Sequence, residues 1–231
     1  VRLPCLKTSL RCGRNSSEHF FFRIMAQFFT LHPEQPQPRL IKQAAEIMRS
    51  GGLVAFPTDS AYALGGHTGD NPLLARIRRI RGVDERHNFT LICRDLSEIA
   101  TYAKVDNAQY RLLKATTPGP YTFILEGTKE VPRRLLHPKK KTIGLRVPDH
   151  PVVAALLAEL GEPLLSSTLL LPEEDHPLTD PEEIRDRLEK EVDLIIEAGP
   201  CRGEATTIID LTSGSPVLVR EGRGSLAPFG L

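Results

Sequence analysis

The chain has 231 residues, 40% of them hydrophobic and 26% charged, with a formal net charge of +1. That mix excludes collagen-like, coiled-coil and wholly disordered chains, and no apolar run reaches the 18 or more residues that span a bilayer. The absence of Trp and the 6% aromatic content argue against an aromatic stacking platform for single-stranded nucleic acid.

The small net charge hides strong local bias. Residues 1–24 hold Arg2, Lys7, Arg11, Arg14 and Arg23 against Glu18 alone. They carry no hydrophobic period, and Phe20–Phe22 is too short for a signal-peptide core. We expect 1–24 to be a disordered or non-native extension, either a transit peptide or sequence upstream of a start at Met25. Residues 25–231 are expected to form one domain. Residues 128–150 are basic through Lys129, Arg133, Arg134, Lys139, Lys140, Lys141 and Arg146, against Glu130 and Asp149. Residues 173–197 carry eleven acids against Arg185, Arg187 and Lys190. Such a chain attracts a polyanion only through a local basic face.

The elements follow in chain order. Leu40, Ala44, Ile47 and Met48 are spaced as one helix face within 39–49, and Gly51-Gly52 stops it. Leu53–Phe56 reads as a buried strand ending at Pro57. Gly65-Gly66-His67-Thr68-Gly69 reads as a surface loop. Asn71-Pro72 opens a helix through about Ile80, with Gly82 beyond it. Thr90–Cys93 is strand-like, Asn107–Thr116 is helical, and Pro118-Gly119-Pro120 breaks the chain. Tyr121–Leu125 and Thr142–Val147 are strands. Val152–Leu160 is a helix ended by Gly161, and Leu164–Leu171 is strand-like. Asp180-Pro181-Glu182-Glu183 reads as a capping box opening a helix to about Glu191. Asp193–Ile196, Thr206–Leu211 and Val217–Arg220 are strands. Strands interleaved with helices predict an α/β fold: one twisted domain whose mixed sheet has about seven strands flanked by helices.

Cys5, Cys12, Cys93 and Cys201 form no CxxC pair, and no Cys/His cluster has metal-ligand spacing. Free thiols and a cytoplasmic location are the expectation, with no metal site. There is no GxxxxGK[ST], no GxGxxG after a strand and no GxSxG elbow. What stands out is Thr58, Arg79, Arg81, Arg146, Thr207 and Arg220 at strand ends and loop starts. Guanidinium forks and hydroxyls suit an anionic ligand such as a nucleotide. Arg79 and Arg81 point about 200° apart if helical and the same way if extended. Gly82 favours the paired arrangement.

Several segments together resemble the YrdC-like family, the threonylcarbamoyl-adenylate synthases. Gly51–Leu64 resembles the family's opening motif, and Arg79-Ile80-Arg81 its Lys-x-Arg motif. Pro118–Thr122 resembles its Pro-Gly-Pro-x-Thr turn, and Thr142–Pro148 its Gly-x-Arg-x-Pro strand. Thr206–Asp210 and Val219–Gly222 resemble the closing motifs. The segments Arg86–Leu91, Lys129–Leu136 and Leu169–Pro172 are similar to the bacterial YciO branch. The resemblance implies a concave basic face that binds ATP, threonine and bicarbonate, with Mg²⁺ arriving on the nucleotide. It assigns Arg79 and Arg81 to catalysis, and Thr58, Arg146, Thr168, Thr207 and Arg220 to substrate. It also implies affinity for double-stranded RNA, tRNA among its forms, which Arg133, Arg134, Lys139, Lys140 and Lys141 would serve. The implied product is a threonylcarbamoyl adenylate used in tRNA modification. A site of Arg and Thr without a Ser–His pair fits such phosphoryl chemistry, which rests on positioning and charge neutralisation.

Two positions depart from the family. Arg79 stands where it has Lys, and Leu170 where its Ser-Ala-Asn segment, here Thr168-Leu169-Leu170, has Asn. Three readings follow: an active nucleotidyltransferase, a nucleotide- and RNA-binding paralogue without synthase activity, or an enzyme acting on threonylcarbamoyl groups already on RNA.

Overall fold

The computed structural model describes residues 25–69, 71–85 and 87–231. The extension 1–24, Arg86 and the Asn71 side chain lie outside the described residues. The strands are β1 Gln27–Thr30, β2 Val54–Phe56, β3 Ala63–His67, β4 Thr90–Ile92, β5 Tyr121–Glu126, β6 Thr142–Arg146, β7 Leu164–Thr168, β8 Leu194–Glu197, β9 Thr207–Asp210 and β10 Val217–Arg220. They form one mixed sheet in the order β1-β8-β2-β3-β7-β4-β6-β5-β9-β10. The helices are α1 Pro38–Arg49, α2 Asn71–Arg81, α3 Leu96–Tyr102, α4 Asn107–Thr116, α5 Pro151–Leu160 and α6 Pro181–Leu188.

Side chains alternate across the sheet, so each strand feeds two cores. Val54 and Phe56 enter one core with Met48 of α1 and Leu156 of α5. Their neighbours Leu53 and Ala55 enter the other, with Ile77 of α2, Leu113 of α4 and Ile184 of α6. Burial on both faces is why these strands read as unbroken apolar runs. Truncating Phe56, which is fully buried, to Ala would cost about 3–5 kcal/mol.

Ten strands replace the expected seven or so. β3 replaces the loop read at Gly65–Gly69. Its glycines answer to close packing: a Cβ on Gly65 would sit 2.3 Å from the Leu165 carbonyl oxygen of β7. β1 was not foreseen as a strand, and it pairs in parallel with β8 from the far end of the chain. α3 was missed as well; Asp95 caps it by accepting from the Glu98 amide at 2.9 Å. The expected capping box at α6 is a simpler cap, Asp180 accepting from the Glu182 amide at 2.9 Å, and the helix ends at Leu188.

Candidate anion site

Strand register places the polar residues. Thr90 of β4 pairs with Ser166 on one side and Gly144 on the other. Arg146 lies two residues beyond Gly144, and Thr168 two beyond Ser166, so all five share one sheet face. A small cavity of about 20 Å³ is walled by Ser60, Thr122, Arg146, Ser167, Thr168 and Thr206, among others.

Arg146 anchors this group. Its guanidinium is buried and ion-paired with Asp59, whose side chain is buried too. It also donates to Ser60 Oγ at 2.8 Å and Thr58 Oγ1 at 3.3 Å. Thr58 Oγ1 in turn donates to the Ala61 carbonyl at 2.6 Å, folding 58–61 into a turn around the arginine. Arg146 Nε is buried with no partner among the described residues. Burial pushes this guanidinium below its ordinary pKa, while Asp59 pulls it back.

The structure separates Arg79 from Arg81, against the paired arrangement expected at Gly82. α2 stays helical through Arg81, so the two side chains diverge. Arg79 reaches outward to Glu191 at 2.6 Å. Arg81 turns inward, its Nε donating to the Leu170 carbonyl at 3.2 Å and its Nη1 to Ser167 Oγ at 2.7 Å. Burial lowers the Arg81 pKa, and the positive charge of Arg220 lowers it further. Arg220 acts on Arg146 in the same direction. Arg220 is held by the Thr206 carbonyl at 3.1 Å, while Thr206 Oγ1 meets Thr122 Oγ1 at 2.9 Å. The charge of Arg220 thus bears on both Arg81 and Arg146, and Asp59 is the acid paired with Arg146.

Thr207 does not face the cavity. It is fully buried, donates to the Gly224 carbonyl at 2.7 Å and accepts from the Gly222 amide at 3.0 Å. It fastens the segment that carries Arg223, whose guanidinium bonds the Asp59 carbonyl. The neighbouring Thr206 takes the cavity position instead. Across the 58–61 turn lies a wider cleft of about 420 Å³, walled by Thr58, Asp59, His150, Cys201, Arg202 and Arg223 among others. Burial pushes the Cys201 thiol up to about 11, so it stays protonated. Among the described residues, no group of three or more His, Cys, Asp or Glu is placed to hold a metal.

One contact contradicts the sequence reading directly. A Ser–His pair exists: His87 Nε2 lies 3.0 Å from Ser167 Oγ. The residues are 80 apart, and no local motif joins them.

The basic run behaves differently. Arg133, Arg134, Lys139, Lys140 and Lys141 are all exposed. Arg134 donates to the Thr68 carbonyl at 3.0 Å, and none of the five forms an ion pair among the described residues. A separate hollow of about 640 Å³ touches the run at Lys140 and shares no residue with the arginine cluster. β6 leads from Lys141 to Arg146, a strand distance of about 17 Å.

The family model Sua5_yciO_yrdC, described as "Telomere recombination", matches residues 46–222. The YciO protein of Escherichia coli (strain K12) is 59% identical over 205 residues, 89% of this chain and 100% of that protein. The threonylcarbamoyl-AMP synthase of Halorhodospira halophila is 30% identical over 165 residues, 71% of this chain and 85% of that enzyme. The crystal structure of E. coli YciO superposes with a TM-score of 0.86, covering 89% of this chain and all of the other. P. abyssi Sua5 complexed with L-threonine gives 0.77 at 27% identity, covering 84% of this chain and 57% of that one.

Proposed function

We propose a function on one premise: the chain belongs to the Sua5/YciO/YrdC family. It binds ATP through the phosphates at Arg81, Arg146 and Arg220, with Thr58 and Thr168 at the rim, and it takes threonine beside them. The observation that carries this reading is that the positive charge of Arg220 bears on both Arg81 and Arg146, while Asp59 is paired with Arg146 alone. Buried like charges repel, and an anion removes that cost. The orphaned Nε of Arg146 supplies a donor with nothing else to bond.

In the family reaction, threonine and bicarbonate form a carbamate. A carbamate oxygen attacks the α-phosphate and pyrophosphate leaves. These residues would neutralise the phosphates and orient them, and Mg²⁺ would be held by the nucleotide's own oxygens. The threonine bound in P. abyssi Sua5 and the synthases near 30% identity support the assignment. The exposed run 133–141 would take structured or double-stranded RNA, tRNA among its forms, by counterion release.

A second reading is favoured by two residues. Arg79 is committed to Glu191, and Leu170 offers only its carbonyl, to Arg81. A site missing the family's Lys and Asn contacts fits a paralogue that binds nucleotide and RNA with little synthesis. Incubating the protein with ATP, threonine, bicarbonate and Mg²⁺ separates the two. Pyrophosphate and the adenylate support the first reading, and ATP binding without pyrophosphate supports the second. No ATP binding in calorimetry would remove both.

A further inference from the structure

The floor of the small cavity carries donors that no protein group uses. Strand pairing sets Thr90 of β4 beside Gly144 and Ser166, with Arg146 and Thr168 two residues further on. Thr122 of β5 shares their face, because Ile124, two residues on, lies opposite Gly144. Thr90, Thr122, Arg146 and Thr168 all wall the cavity. The hydrogen bonds of the Arg146 side chain come from Nη2, to Thr58, Asp59 and Ser60. Its Nη1 has no partner among the described residues, and neither does the hydroxyl of Thr90 or of Thr168. Thr122 Oγ1 and Thr206 Oγ1 share one bond at 2.9 Å. Two hydroxyl protons and one bond leave a further proton to give.

The occupant that fits these donors accepts hydrogen bonds and carries negative charge. Arg220 bears on Arg146, whose paired acid is Asp59, so the balance of these three charges is positive. Space sets the size. The cavity of about 20 Å³ holds one water-sized group, which needs about 10–15 Å³, and not two. A halide ion is a single atom that only accepts. Formate and bicarbonate have three or more heavy atoms and exceed the space. A water molecule must place two protons of its own among groups that already have protons to give.

We propose that the cavity binds one chloride ion at Arg146 Nη1 and the hydroxyls of Thr90 and Thr168, and that chloride and nucleotide exclude each other. The exclusion rests on the nucleotide-site reading above, because both ligands draw on Arg146. The chloride site itself does not rest on it.

Chloride-35 NMR of the full chain in sodium gluconate tests the site directly. Added chloride should show protein-dependent line broadening that saturating ATP removes. Thr90→Val takes away one donor and keeps the side chain's shape, so the broadening should fall, and Thr90→Ser should restore it. Thr168→Val repeats the test from β7. Calorimetric ATP titrations at one ionic strength, with gluconate exchanged for about 0.15 M chloride, hold screening constant. The apparent Kd for ATP should rise about threefold or more in the wild type, and less in Thr90→Val. No protein-dependent broadening in the wild type overturns the proposal, and so does broadening that both valine variants leave unchanged. Competition by formate equal to that by chloride overturns the halide assignment. ATP binding that chloride neither weakens nor yields to sinks the exclusion. Broadening without any ATP binding sinks the nucleotide reading and leaves the chloride site standing.

Discussion

Two basic regions of this molecule carry similar residues and opposite physics. The cluster Arg81, Arg146 and Arg220 is drawn from α2, β6 and β10, and each guanidinium is held by directional hydrogen bonds. The basic side chains of the run Arg133–Lys141 are local in sequence and exposed, Arg134 alone of the five donating to a backbone carbonyl, Thr68's, while the segment itself is anchored by Leu135 in the core. The cluster has already paid the cost of desolvating its charges. The run keeps its hydration until a partner arrives. A buried cluster selects a shape, while an exposed run answers mainly to charge density and salt.

The comparison breaks most visibly at Asp59. Replacing it with Ala strands Arg146 as a buried unpaired charge, which costs about 3–5 kcal/mol. The urea midpoint should fall accordingly, and an unchanged midpoint would show that Arg146 finds solvent. Next in size is Arg81→Ala. A charge-assisted contact contributes about 1.5–3 kcal/mol, so calorimetry should show ATP affinity down tenfold or more. Unaltered affinity would remove Arg81 as a phosphate ligand.

His87 offers a pH test of the cluster's burial. Its folded pKa near 4 lies below the ordinary 6.5, so between these values the unfolded chain takes the proton and the folded one does not. The stability it contributes is complete above pH 6.5 and is lost as pH falls toward 4. Denaturation of the wild type and His87→Gln across pH 7 to 4.5 should give curves that converge on acidification. Parallel curves would mean that the imidazole is solvated.

Smaller effects sharpen the other side. Neutralising Lys139, Lys140 and Lys141 to Gln should reduce the slope of log affinity against log salt for double-stranded RNA by at most about 3, leaving ATP affinity in place. A change in ATP affinity would join the two regions that β6 separates. Smallest of all, Arg79→Ala should leave ATP binding near wild type, because its partner is Glu191 at the surface. A tenfold loss there would return Arg79 to the site.

The fold was legible wherever local chemistry decides it. α4 sits where its periodicity puts it, opened by an Asp106–Gln109 capping box, and buried apolar runs became β2, β4, β5 and β8. β3 was hidden because Gly65 and Gly66 read as loop residues until a neighbouring strand presses on them. For the candidate site, Arg81, Arg146, Thr58 and Arg220 were singled out by residue type at element ends. Thr207 points away from the cavity and Thr206 lines it, because a one-residue shift reverses the face of a strand. Ser167 and His87 carried no signal, since their contact depends on the segment between α2 and β4 meeting β7.

The pairing of β1 with β8 has a consequence for synthesis. Gln27 lies beside Leu194, 167 residues later in the chain. At roughly 5–20 residues per second, a ribosome needs about 8–30 s to deliver the second strand after the first. Throughout that interval the nascent β1 has no sheet to join. Arg220 and Arg223 emerge later still, so ribosomes halted before them would release chains with most of their core and no finished site. A pool of arrested nascent chains should therefore gain protease resistance well before it gains any affinity for the anion.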